Sequence, residues 1–215
     1  MSPLPVHEFY AGIAPWAALS LLLIGRNPHP GLRRRVAALL LATLLLLVVP
    51  VGGWNAAAWI RVTEPNPSFT LTGLLLVALG SRLFGQHLFR REDWRAAWIF
   101  GAVASLTLYP MGLGLTPIDP YAWGWERILP LMTGPIAALL LLRGNRCGIL
   151  LLTALAGSLC GLQESTNVWD AILDPVYGIA AMLLLPGAIR TKDPGTPAEI
   201  RCNGDGGRQT EGMTV

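Results

Sequence analysis

Apolar runs of about 15 to 20 residues recur along this 215-residue chain almost as far as Arg190, interrupted only by short stretches rich in charge, proline or glycine. A chain patterned in this way is committed to helices with little polar surface between them. Only 13% of its residues are charged and 53% are apolar, with mean hydropathy +0.49. An ordinary solvated domain carries roughly a quarter charged residues. The runs mark seven candidate membrane spans, over 9–25, 36–54, 67–84, 94–113, 123–142, 147–163 and 170–189.

The charges alternate with these runs. Arg26, Arg33, Arg34, Arg35, Arg82, Arg90, Arg91, Arg95, Arg143 and Arg146 fall in the connections after the first, third and fifth runs, and Arg190, Lys192, Arg201 and Arg208 follow the seventh. The other connections keep only Arg61 and Arg127 as cations, against Glu8, Glu64, Asp119, Glu126, Glu164, Asp170 and Asp174. Positive-inside sorting then places the N-terminus outside and the C-terminus in the cytoplasm. No basic residue precedes the first run, so that run lacks the n-region of a secretory signal and is expected to stay. The expected fold is all-α: a polytopic membrane helix bundle of about seven transmembrane helices over 1–190, in a bacterial inner membrane, with a disordered cytoplasmic tail over 191–215.

The acidic connections are also aromatic, with Tyr10, Trp54, Trp59, Tyr109, Tyr121, Trp123, Trp125, Trp169 and Tyr177 near them. An interfacial belt explains single rings of this kind. Three Asx-Pro steps, Asn66-Pro67, Asp119-Pro120 and Asp174-Pro175, read as helix starts, because an Asx side chain accepts from first-turn amides and proline at the first helical position forfeits no bond. Pro175 to Ile189 is only about 22 Å of helix against a hydrocarbon core of about 30 Å. The last span is therefore expected to begin near Asp170, and the fifth near Trp123, which draws their acids inward. A wet recess lowers that cost; local bilayer thinning is the alternative. The candidate recess is lined by Asp119, Glu126, Arg127, Glu164, Asn167, Asp170 and Asp174, with Trp123, Trp125 and Trp169 offering ring faces to a cation or a sugar. Arg127 is expected to bridge to Asp170, Asp174 or Asp119.

Three functions fit this recess. The leading one is an integral membrane protein binding a cationic or polyhydroxylated group, as a carrier or an accessory subunit of an envelope assembly, with membrane lipids and a membrane-protein partner as company and no nucleic acid. The second follows from Asn167, Asp170 and Asp174, spaced three and four apart so that one continuous helix would align them. This N-x-x-D-x-x-x-D arrangement resembles the aspartate motif of membrane prenyltransferases of the UbiA type over eight residues. The resemblance implies metal-dependent transfer on a lipid-linked phosphate, with Mg2+ as cofactor. The third is a structural scaffold for a membrane complex. Other chemistry is excluded by composition: His7 is separated from His29 and His87 by the expected topology, and the single lysine, Lys192, lies beyond the last run, which rules out a Schiff base inside the bundle. No catalytic residue or resident metal is assigned, and a non-enzymatic reading leads. Cys147, Cys160 and Cys202 form no C-x-x-C pair. The first two are thirteen residues apart on one expected helix, about 20 Å, too far for a disulfide.

Overall fold

The computed structural model describes residues 6–25 and 31–190. The expected tail over 191–215, with Cys202, lies outside the described residues, as does His29. Among the described residues the chain forms nine α-helices, one 3-10 helix and a two-stranded hairpin. In order these are α1 (Val6–Ile24), α2 (Leu32–Leu47), β1 (Pro50–Val51), β2 (Trp54–Asn55), α3 (Ala56–Thr63), α4 (Phe69–Phe84), α5 (Arg91–Gly112), the 3-10 helix (Pro120–Trp125), α6 (Ile128–Leu142), α7 (Cys147–Leu159), α8 (Val168–Ile172) and α9 (Pro175–Arg190).

The all-α character stands, but the transmembrane assignment is overturned. No helix among the described residues is long and apolar enough to cross a membrane. The reason is length combined with composition. Helices α2, α4 and α9 have 16 residues, α6 has 15 and α7 has 13. At 1.5 Å per residue these reach about 20 to 24 Å, short of a hydrocarbon core of about 30 Å. Helix α5 has 22 residues, but it opens on Arg91, Glu92, Asp93 and Arg95 and is diluted further on by Ser105, Thr107 and Pro110. Helix α1 has 19, opens near His7 and Glu8, and carries Pro15 inside. The multi-pass inner-membrane location falls with the spans. So do the three functions built on them: the membrane carrier or envelope subunit, the transferase on a lipid-linked substrate, and the membrane scaffold.

Two expected helices also change shape. The run over 36–54 ends as α2 at Leu47, because the residue before Pro50 is driven out of helical geometry. The chain then reverses in a tight hairpin pairing Pro50 with Asn55 and Val51 with Trp54. Gly52 (φ 58°) and Gly53 (φ 87°) supply the turn, a left-handed conformation that side-chain-bearing residues resist. The Asn55 side chain accepts from the Ala58 amide and starts α3 in a stretch expected to be loop.

Three apolar clusters hold the helices together. Ala17 and Ile24 of α1 meet Ala38 of α2 and Leu79 of α4. Leu74, Ala97, Ala102, Cys147, Tyr177 and Ala181 join α4, α5, α7 and α9. Leu129, Ala137, Leu151, Ala154 and Ile172 join α6, α7 and α8. The small residues let backbones approach. A Cβ on Gly101 of α5 would come within 2.7 Å of the Tyr177 ring, and one on Gly178 of α9 within 2.3 Å of Ser105 Oγ. The Ala97, Gly101 and Ser105 stripe is thus consumed inside the chain, with fully buried Tyr177 donating to the Ala97 carbonyl at 2.6 Å. Large apolar side chains remain on the outer faces, among them Leu40 (66% exposed), Leu131 (71%) and Leu183 (74%).

The basic connections converge at one end of the bundle, where backbone carbonyls take up their guanidinium groups: Arg35 binds the carbonyl of Leu83, Arg90 that of Gly144 and Arg146 that of Leu88. Fully buried Asp93 organises this end. Its carboxylate accepts from the Arg90 amide at 2.7 Å and from the Arg146 amide at 2.8 Å, tying the start of α5 to the start of α7. Asn145 adds a bond to the Glu92 carbonyl at 3.2 Å. Beside it Cys147 is buried, and burial and then the Asp93 charge push its thiol up to about 12, so it packs as an inert apolar residue. Asp93→Ala is expected to destabilise the fold by roughly 3 kcal/mol, since two charge-assisted bonds from part-buried amides to a fully buried carboxylate are lost together. Asp93→Asn, which keeps one acceptor, should lose less; denaturant melts of the two variants check the order.

Candidate functional site

The connections after α3, α5 and α7 meet the start of α9 at the opposite end, and their polar groups interlock. Asp174 is the centre. It is 3% exposed, its Oδ1 accepts from the Tyr177 amide at 2.7 Å to start α9, and its Oδ2 accepts from the Ser68 amide at 2.7 Å to hold the entry to α4. Pro175 occupies the first helical position as the Asx-Pro reading requires. Asp119 likewise starts the 3-10 helix, accepting from the Tyr121 amide at 2.9 Å. Asn66 departs from that reading. Ser68 starts α4, its Oγ accepting from the Leu71 amide at 3.0 Å, while Asn66 Oδ1 instead accepts from the Glu164 amide at 3.2 Å.

Asn167, Asp170 and Asp174 do not share a helical face. Helix α8 ends at Ile172 and Leu173 is extended (φ −140°, ψ 130°), so Asp170 and Asp174 sit on separate elements. Proline disfavours helical geometry in the residue before it, so α8 does not run on through Asp174 into α9. Asp170 is half-buried. Its carboxylate accepts from Tyr121 Oη at 2.9 Å and from Ser165 Oγ at 2.5 Å. Asn167 is fully buried, starts α8 by accepting from the Trp169 amide at 2.9 Å, and donates through Nδ2 to the Tyr121 carbonyl at 3.1 Å. The Trp169 indole donates to the Pro120 carbonyl at 2.8 Å. Gly124 makes this joint feasible, because a Cβ there would fall 1.7 Å from Asn167 Oδ1.

Residues outside the candidate recess complete the junction. Tyr10 Oη donates to the Pro67 carbonyl at 2.9 Å and lies 3.1 Å from Thr72 Oγ1. Gln163 is 6% exposed; its Nε2 donates to the Pro67 carbonyl at 2.9 Å and reaches the Asp170 carbonyl at 3.4 Å. Those two bonds fix the orientation of the amide and leave Oε1 buried with no partner. Tyr109 Oη is buried and unpartnered too. Glu64, half-buried at the exit of α3, completes a negative surround: burial, then the charges of Asp174 and Asp170, raise its carboxyl above the usual range. Burial, then Asp174, Glu64, Asp170 and Tyr121, raise the Tyr109 phenol. Tyr121 is pushed up to about 12 by burial and by its bond to Asp170.

Asn167, Trp169, Asp170 and Asp174 are therefore brought together. Asp119, Glu126, Glu164 and Trp125 stand exposed on the rim, and Trp123 is half-buried. The ring of Trp125 meets Tyr121 edge-on at 5.0 Å. Arg127 is exposed at the start of α6 and bonds to none of Asp119, Asp170 or Asp174, whose partners are those just described. The expected bridge is absent: Asp170 and Asp174 take hydroxyls and amides instead, and Asp119 takes the Tyr121 amide. Among the described residues no group of three His, Cys, Asp or Glu side chains converges to hold a metal ion, so the arrangement that suggested Mg2+ does not form. No protein-family model, curated protein or solved structure matches this chain.

The raised Glu64 carboxyl sets a pH dependence. In the unfolded chain Glu64 ionises in the ordinary carboxyl range, and in the fold it ionises only at higher pH. The charge therefore opposes folding above the folded value, and that opposition is lost as pH falls through it. Glu64→Gln is expected to raise the midpoint of thermal unfolding near neutral pH, with the gain shrinking to nothing toward pH about 4. Melts across that range check both the sign and the trend.

Proposed function

We propose that the protein binds a small hydrogen-bond-donating molecule at the junction of the α3–α4, α5–α6 and α7–α8 connections, and that it does so without catalysing a reaction on it. The observation that carries this reading is Gln163 Oε1, an acceptor with 94% of its residue out of solvent and no protein donor. An unmet buried acceptor costs about 1 to 3 kcal/mol, and a ligand that donates to it recovers that energy. Tyr109 Oη, unpartnered nearby, and the Glu64 and Asp170 carboxylates supply further acceptors. A binding role is favoured over catalysis because the acids are held by fixed structural bonds, and among the described residues no nucleophile is paired with a histidine base; His87 is exposed in the connection between α4 and α5, at the basic end.

Thermal unfolding of the full chain with putrescine, arginine, glucose and sorbitol, each at fixed ionic strength, tests the reading. At least one of these should raise the midpoint by several degrees at a concentration about 100-fold above its dissociation constant, worth about 2.7 kcal/mol. The rise should vanish in Gln163→Met. If none of the four moved the wild-type midpoint, or if Gln163→Met responded like the wild type, the site would be refuted.

A further inference from the structure

We infer that the molecule taken by this junction is an extended organic cation with more than one N–H-bearing centre, of the diamine or guanidinium class, rather than a metal ion or a polyol. The inference rests on the binding reading above and narrows it by counting what the protein offers. On the acceptor side are Gln163 Oε1, the Glu64 carboxylate and the Asp170 carboxylate, with Asp174 close enough for its charge to act on both Glu64 and Tyr109. Among the unpartnered buried atoms, the hydroxyls of Tyr109, Ser105 and Thr70 can each donate as well as accept, and none of them carries charge to balance the acids. Each hydroxyl of a polyol brings two acceptor lone pairs for every proton, and so adds acceptors where they are already in excess. An ammonium or guanidinium group brings donors only.

The spacing of the acids separates a molecular cation from a metal ion. A hard metal ion needs oxygen ligands drawn within about 2.0 to 2.6 Å of one point. The carboxylates here are near enough to perturb one another, yet they do not gather into a group that could hold such an ion. Negative charge distributed over Glu64 on the α3 exit, Asp170 on α8 and Asp174 before α9 matches positive charge distributed along a chain of atoms. Aromatic faces at the junction add to that match: Trp169 and Tyr121 are half-buried beside Asp170, where a cation can lie against a ring.

Isothermal titration of the full chain at 150 mM salt with putrescine, sorbitol and magnesium chloride as separate probes tests the class. Putrescine is expected to bind at least tenfold more tightly than either of the others. Glu64→Gln should weaken putrescine about tenfold, and Tyr109→Phe, which leaves the described hydrogen bonds intact, should weaken it less. Circular dichroism of both variants establishes that they are folded. Sorbitol or magnesium binding as tightly as putrescine would overturn the cation assignment while leaving the binding site in place. Silence from all three probes, together with silence from arginine and glucose in the thermal series, would remove the site itself. Putrescine binding unchanged in Glu64→Gln would also overturn the assignment, because charge at the site would then play no part.

Discussion

Asp174 connects two parts of the chain more than a hundred residues apart, and the acidic end of the bundle is arranged around that connection. One carboxylate oxygen starts α9 through the Tyr177 amide, and the other fixes the backbone at Ser68 where the chain turns into α4. A buried carboxylate is tolerated only when such donors surround it, and these two are amides that the helix starts leave without partners of their own. With Pro67 and Ser68 held, the Pro67 carbonyl becomes a fixed acceptor for both Tyr10 and Gln163. Gln163 donates to it through Nε2 and presents its side-chain oxygen to an interior that offers it no donor. The candidate site is thus a consequence of how α4 and α9 are begun.

The two ends of the bundle solve the same problem with opposite charges. At the basic end, arginines reach backbone carbonyls and a single buried acid, Asp93, receives amides from α5 and α7. At the acidic end, carboxylates receive amides and hydroxyls, and Tyr10 and Tyr121 donate to a carbonyl and a carboxylate there. Among the described residues the buried side-chain polar atoms without a partner are the hydroxyls of Ser20, Thr70, Ser105 and Tyr109, together with Gln163 Oε1. Gln163 Oε1 differs from the rest in being an amide oxygen, able only to accept, and it belongs to a side chain held at the acidic end by the Pro67 and Asp170 carbonyls.

Much of the helical layout was legible from apolar periodicity, and so was the alternation that gathers basic connections at one end and acidic ones at the other. Reading the runs as membrane spans failed on length: once Pro50, Pro67, Pro120 and Pro175 and the charged turns take their residues, the helices are too short or too dilute. Asp119 and Asp174 were legible as helix starts because Asx-Pro is a local signal. Asn66 misled because Ser68 competes for the same role two residues on. The separation of Asp170 from Asp174 turns on one extended residue, Leu173, which apolar spacing does not report. Gln163 and the Tyr121–Asp170 bond arise from contacts between distant segments, so only the folded chain assigns them a role.

Amide hydrogen exchange at Ser68 measures the organising bond most directly, because that amide donates to Asp174 in the intact protein. The account predicts slow exchange at Ser68 and Tyr177 in the wild type, and exchange faster by at least a hundredfold at both in Asp174→Ala, with the Arg146 amide at the other end retaining its protection. Unchanged exchange at Ser68 in Asp174→Ala would contradict it.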